Sequence, residues 1–198
     1  MGTSVEATGG VIVAAFGGRE RVIGAPAAER ADGAALVEAV RTGDRAAFDR
    51  LYALYAPLVH GIILARVPRD EADDLAQDVF LTAYRKLDSL RDANAFGPWI
   101  AMIARNRAMD FHRTRHETED LSEEIAHASS SEEEAEAARA LEAIRGLPDA
   151  YRETLVLRLV EGLTGPEIAA KTGLTPASVR VNLHRGMKLL REKLGIEE

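Results

Sequence analysis

The 198-residue sequence contains no cysteine, one tryptophan and only 5% aromatic residues. Without cysteine it can form no disulfide, hold no metal through thiolates and use no thiol nucleophile. No apolar stretch approaches the roughly 20 residues that a bilayer span needs. The longest near the start, VIVAAF at Val11 to Phe16, is too short and too poorly flanked for a signal peptide. A cytoplasmic protein without membrane insertion is expected. Catalytic patterns are missing too: GTSVEATGG lacks the lysine of a phosphate-binding loop, and no Ser/His/Asp order or carboxylate pair stands out. His112 and His116 lie four apart, a helical spacing that suits a metal, but no third ligand is near. Phosphate contact or plain surface is the better reading of both histidines. Neither an enzyme nor a cofactor is expected.

Basic charge is scarce overall, since 25 Lys and Arg face 32 Asp and Glu for a net charge of −7. That deficit is local. Nine acids and no Lys or Arg fall between Glu117 and Glu136 (ETEDLSEEIAHASSSEEEAE). Elsewhere two basic islands emerge: six Lys or Arg against Glu192 alone from Lys171 to Gly195, and four Arg against Asp110 from Phe96 to His116. Their separation makes a polyanionic partner plausible despite the acidic total.

Hydrophobic spacing reads as helix nearly throughout, so an all-α fold of two small helical domains is predicted. Residues 1–33 are rich in Gly and Ala without a sustained period and are expected to be mostly disordered. A first domain spans 34–116. Leu36, Val37 and Val40 begin it, and Phe48, Leu51, Tyr52, Tyr55, Leu58, Val59 and Ile62 continue at helical spacing, with a kink expected at Pro57. Two more helices are predicted over 71–87 and 97–114. Residues 117–136, too charged to bury, form a flexible acidic linker. The second domain, 137–198, carries helices near 137–145 and 148–160 and then a helix-turn-helix. In that motif Thr164 and Glu167 make a capping box, Gly173 turns the chain, Thr175 caps the last helix and Pro176 opens it.

Three segments carry chemistry. In DEADDLAQDVFLTAYRKLD, Leu75, Val79, Tyr84 and Leu87 are expected to face a core, leaving Asp74, Gln77, Asp78 and Arg85 as either a solvated face or a docking face. In FGPWIAMIARNRAMDFHRTRH, Trp99 and Phe111 stand among Arg105, Arg107, Arg113 and Arg115. Rings stack on unpaired bases and arginines neutralise phosphates, as a single-strand binder requires; a surface helix paired to nearby acids is the plainer alternative. Asn106, within this cluster, can donate and accept at a base edge. On the last helix Val179, Leu183, Met187, Leu190 and Leu194 form an apolar stripe beside a basic one of Arg180, His184, Lys188 and Arg191. Caps, turn, apolar face and basic stripe agree on duplex DNA as the ligand of this helix, with Val181 beside the stripe suiting a thymine methyl; an αα-hairpin within a helical bundle is the plainer alternative.

Together DDLAQDVFLTAYRKLD, FGPWIAMIARNRAMD and LPDAYRETLVLRLVEGLTGPEIAAKTGLTPASVRVNLHRGMKLL resemble the extracytoplasmic-function (ECF) sigma factors, a class of bacterial RNA polymerase sigma factors in the sigma-70 family. The resemblance covers about Leu36 to His116 and Ala137 to Leu194. It implies a transcription initiation factor that binds core RNA polymerase, directs it to promoters and helps melt the minus-ten region. On this reading Asp74, Leu75, Gln77, Asp78 and Phe80 dock on the clamp helices of the largest polymerase subunit. Trp99, Arg105, Asn106 and Asp110 engage the non-template strand of the minus-ten element, with Arg113 and Arg115 beside them. One base flips into a pocket between this helix and the loop SLRDANAF, where Asn106 sits. Ser178, Arg180, Val181, His184 and Arg185 enter the minus-thirty-five major groove, with Lys188 or Arg185 on phosphate. An anti-sigma factor is the further partner implied.

Val181 and Asn182 depart from the small polar and basic residues frequent in the family. Gly186 replaces a common alanine within a helix, at about 1 kcal/mol in propensity. Two other functions compete with this one: a helix-turn-helix regulator acting without polymerase, against which the docking segment argues, and a decoy that only sequesters an anti-sigma factor, which has no need of Arg180 and Asn106.

Overall fold

The computed structural model describes residues 26–118 and 132–196, and every regular element among them is helical. Eight α-helices follow in order: α1 Pro26–Arg41, α2 Arg45–Leu64, α3 Arg69–Lys86, α4 Phe96–Thr118, α5 Glu132–Arg145, α6 Asp149–Leu159, α7 Gly165–Thr172 and α8 Pro176–Leu194. Two short 3-10 turns, Leu87–Ser89 and Ala93–Ala95, link α3 to α4.

Local chemistry accounts for most helix ends. Asp44 accepts from the Ala47 amide at 3.2 Å and so starts α2. Asp70 and Glu71 occupy the first turn of α3, and Arg85 and Lys86 the last, each complementing the helix dipole. The capping box of α7 is formed in both directions: the Thr164 amide donates to Glu167 Oε2 at 2.6 Å, and the Glu167 amide to Thr164 Oγ1 at 3.4 Å. Gly173 (φ 80°) ends α7 in the left-handed region, and two residues later Thr175 accepts from the Ser178 amide at 3.1 Å to open α8. A three-residue connection thus joins the two helices, as the sequence predicts.

Helices α1 to α4 form one bundle and α5 to α8 a second. The two are packed together. Helix α2 lies against α6, α4 against α7, and α1 against α7, so that Tyr55, Ile62 and Phe96 of the first bundle share a continuous core with Leu155, Leu157 and Ile168 of the second. Patterning within each helix does not report this contact, and domains merely tethered by a linker were the expectation.

Two boundaries differ from the sequence reading. Helix α1 begins at Pro26, inside the stretch expected to be disordered. Proline suits a first helical turn, and Gly33, which reads as a breaker, sits where an added Cβ would meet the Tyr55 hydroxyl at 2.5 Å. Helix α5 begins at Glu132, inside the expected linker, because consecutive glutamates suit a helix N-terminus. Pro57 sits inside α2, which runs on across it. The rest of the linker, 119–131, and the VIVAAF segment lie outside the described residues.

Candidate polymerase and nucleic-acid interfaces

Helix α3 divides the predicted docking residues into two groups. Leu75 and Phe80 are 6% and 3% exposed and hold the helix onto the bundle, whereas Asp74 and Gln77 are exposed. Asp78 is half-exposed and accepts from Arg107 Nη2 of α4 at 2.6 Å. Tyr84, expected in the core, is instead 48% exposed, and Leu81 is 53% exposed. The reason is geometric: Tyr84 rests edge-on against Phe48 (ring centroids 4.8 Å), a contact that covers one side of the ring. Tyr52, also exposed, leans on Phe80 at 4.4 Å. Asp74, Gln77, Leu81 and Tyr84 consequently share one face. The spacing 77, 81, 84 was the available signal for the two apolar members, obscured because each fits a core pattern equally well.

Along α4 the predicted strand-binding residues fall into three environments. Trp99 is partly buried and packs on Phe96 at 5.8 Å between centroids. Asn106 is exposed, flanked one turn away on each side by Met102 and Met109, which are 50% and 59% exposed. Neither methionine stands out in the sequence, yet 102, 106, 109 and 113 make a single stripe. Arg113 pairs with Asp110 at 3.1 Å on the surface, and Arg115 is exposed. The partly buried Phe111 lies edge-on to His112, whose Nε2 is 2.8 Å from the Arg66 carbonyl oxygen. The side chain of His116 lies outside the described residues.

Arg105 is different. Its Nη2 and Nε donate to Glu153 Oε1 and Oε2 at 2.7 and 3.0 Å, and Arg66 Nη2 donates to the same carboxylate at 2.7 Å. Burial pushes the Glu153 carboxyl up, but the hydrogen bonds and charges of Arg105 and Arg66 outweigh it and hold the group below the ordinary carboxylate range. The same bonds raise Arg105.

Helix α8 presents the predicted groove residues as one arc. Arg180, His184, Arg185 and Lys188 are exposed or partly so, and Val181 between them is exposed too, while Val179, Met187 and Leu190 are buried on the opposite side. Ser178 is engaged locally, its hydroxyl 2.8 Å from that of the cap Thr175. Lys188 comes within 4.0 Å of Glu192 one turn on, an exposed pair that leaves it available to a phosphate. Gly186 is explained by packing: a Cβ there would lie 3.1 Å from Leu155 Cδ1 and 3.2 Å from Tyr151 Cβ, so its absence lets α8 approach α6.

Residues 51–118 match the family model for sigma-70 region 2, and 137–190 that for sigma-70 region 4. The RNA polymerase sigma factor CarQ of Myxococcus xanthus is 36% identical over 167 residues, covering 80% of this chain and 95% of that protein. The ECF RNA polymerase sigma factor RpoE of Cereibacter sphaeroides is 33% identical, covering 84% and 97%. The chain belongs to the ECF sigma factors. Among solved structures, CnrH in complex with the cytosolic domain of CnrY superposes on this sigma factor with a TM-score of 0.60 at 25% identity, covering 84% of this chain and 99% of that one. RpoE of Bartonella quintana, bound to the anti-sigma factor NepR, shares the fold with a TM-score of 0.54 at 23% identity, covering 76% and 98%. As a sigma factor the protein binds core RNA polymerase and directs initiation at promoters, a regulatory role and not a catalytic one. No helix among the described residues is long and apolar enough to cross a membrane.

Proposed function

We propose that this sigma factor divides initiation among three faces. Residues 34–116 act as the polymerase-binding and minus-ten domain. Here the α3 face of Asp74, Gln77 and Asp78, extended by Leu81 and Tyr84, docks on the polymerase clamp, with Leu75 and Phe80 fixing its position from below. The α4 stripe of Met102, Asn106 and Met109, with Trp99, Arg105, Asp110, Arg113 and Arg115 around it, meets the melted non-template strand. Residues 137–198 act as the minus-thirty-five domain. Its α8 arc enters the major groove, where Arg180 suits a guanine edge and Val181 a thymine methyl.

The observation that carries this reading is the α8 arc itself. Its groove-facing residues lie on the open side of a helix whose other face is buried, and its start is fixed by Thr175 and Pro176. Residues 176–191 carry Arg180, Arg185, Lys188 and Arg191 and no Asp or Glu, a face of one charge sign that suits a polyanion, where an ordinary solvated face mixes both signs. An anti-sigma factor is the expected protein antagonist, the cytoplasm the expected location.

Run-off transcription with purified core polymerase on a promoter library tests the reading. Defined start sites that appear only with this protein are expected. Absence of initiation from a folded protein, with retained binding to an anti-sigma factor, favours the decoy; a footprint on duplex DNA without polymerase favours the independent regulator.

A further inference from the structure

Arg66 and Arg105 come from different parts of the first bundle and converge on one carboxylate of the second. Both oxygens of Glu153 are used, with three N–H donors between 2.7 and 3.0 Å. Glu153 and Arg66 are nearly buried, and Arg105 is about one-third exposed, so the cradle opens toward the surface along α4. Two guanidiniums against one carboxylate leave an excess of one positive charge. A fork of guanidinium N–H groups fits a phosphate as well as it fits a carboxylate. Arg105 also lies on the helix whose exposed stripe is assigned to the melted strand.

The contact that inserts Glu153 is a fitted one. Gly61 and Gly97 line it: an added Cβ would meet Leu157 Cδ2 at 2.8 Å and Glu161 Cγ at 2.9 Å in the first case, and the Lys171 carbonyl oxygen at 2.9 Å in the second. Lys171 Nζ donates to the Leu54 carbonyl at 3.0 Å and lies over the Tyr55 ring. His60 Nδ1 is 2.6 Å from Glu161 Oε1. These polar links flank the apolar core that the two bundles share, in which Tyr55, Ile62 and Phe96 meet Leu155, Leu157 and Ile168.

We propose that Arg66 and Arg105 form a phosphate site for the melted promoter strand and that Glu153 is its built-in competitor, so that strand capture and closure of the two domains exclude each other. The proposal rests on the reading that α4 meets the melted strand. It adds Arg66 to the strand-binding residues and places the screening carboxylate in α6.

The test uses the full chain with cysteines introduced at the exposed Ala46 and Ala138, one in each bundle. Because the sequence has no cysteine, both dyes attach only there. Energy transfer reports closure, and a mixed-sequence single-stranded DNA 12-mer is the ligand. Glu153→Gln is expected to lower transfer and to tighten single-strand binding at least about tenfold, the scale of one buried charged contact. Adding Arg66→Ala should leave the chain open while abolishing that gain, and the salt dependence should fall by about 0.7 in log–log slope, the value of a single phosphate neutralised on a single strand. Opening with unchanged affinity, or a gain indifferent to Arg66→Ala, overturns the proposal. The wild-type chain covers the chance that Glu153→Gln misfolds: the 12-mer itself must lower its energy transfer, and constant transfer at saturation overturns the idea equally. Run-off transcription by the wild-type protein tests the sigma reading separately, so failure of one is distinguishable from failure of the other.

Discussion

At the scale of single residues, the informative positions are those where a side chain would be too much. Gly186 looks from sequence like a loss of helix propensity, and in the structure it is the point at which α8 meets α6. Gly186→Ala gains about 1 kcal/mol of propensity. Against this stand three contacts at 3.1–3.2 Å to Leu155 and Tyr151, one of them a Cβ fixed to the backbone. Overpacking of that kind costs about 1–3 kcal/mol, so a net loss of about 1 kcal/mol is expected, read as a lower denaturation midpoint with unchanged slope. Residue identity alone does not reveal such sites. Gly33, Gly61 and Gly186 all lie within helices and read as weaknesses until the facing side chain is known.

At the scale of elements, sequence legibility tracks the chemistry of the ends. The α7–turn–α8 unit was readable almost to the residue because Thr164, Glu167, Gly173, Thr175 and Pro176 each have one job, and each does it. Helix α3 was legible as a helix but not as a surface. Period alone put Tyr84 inside, since an aromatic resting edge-on against a neighbour is spaced like one that is buried. The distinction is testable. Leu81→Ala and Tyr84→Ala remove half-exposed groups, so each is expected to leave thermal stability within about 0.5 kcal/mol of wild type. Each should nonetheless weaken core polymerase binding about tenfold or more, as removal of an apolar interface anchor does. Phe80→Ala is the contrasting variant: it empties a site in the core and is expected to cost about 3–5 kcal/mol of stability, with polymerase binding following the folded fraction.

At the scale of the whole molecule, the packing of one domain on the other was not legible, because its polar partners are 48 to 117 residues apart in sequence and none belongs to a local pattern. Charge segregation located two basic islands along the chain, and among the described residues the carboxylate that screens Arg105 is that of Glu153. A second cross-domain link gives the closed form a pH dependence. The hydrogen bond to Glu161 raises His60 above its ordinary range; burial opposes this, the charges of Glu161 and Asp73 assist it, and Arg69 opposes it. Asp73 and Arg69 lie in the same bundle as His60 and stay with it on opening, whereas Glu161 leaves. His60 therefore binds its proton more tightly when the domains are closed. A raised pKa stabilises the state that holds the proton: the contribution is fully present below the ordinary histidine pKa of about 6.5 and is lost as pH rises through the higher closed-state value. Energy transfer between labels at 46 and 138 is accordingly expected to fall as pH is raised from about 6 to about 8, and single-strand binding to tighten over the same interval. His60→Gln keeps a hydrogen-bonding side chain but cannot titrate, so it should flatten both profiles; a slope that survives this substitution assigns the pH response to another group.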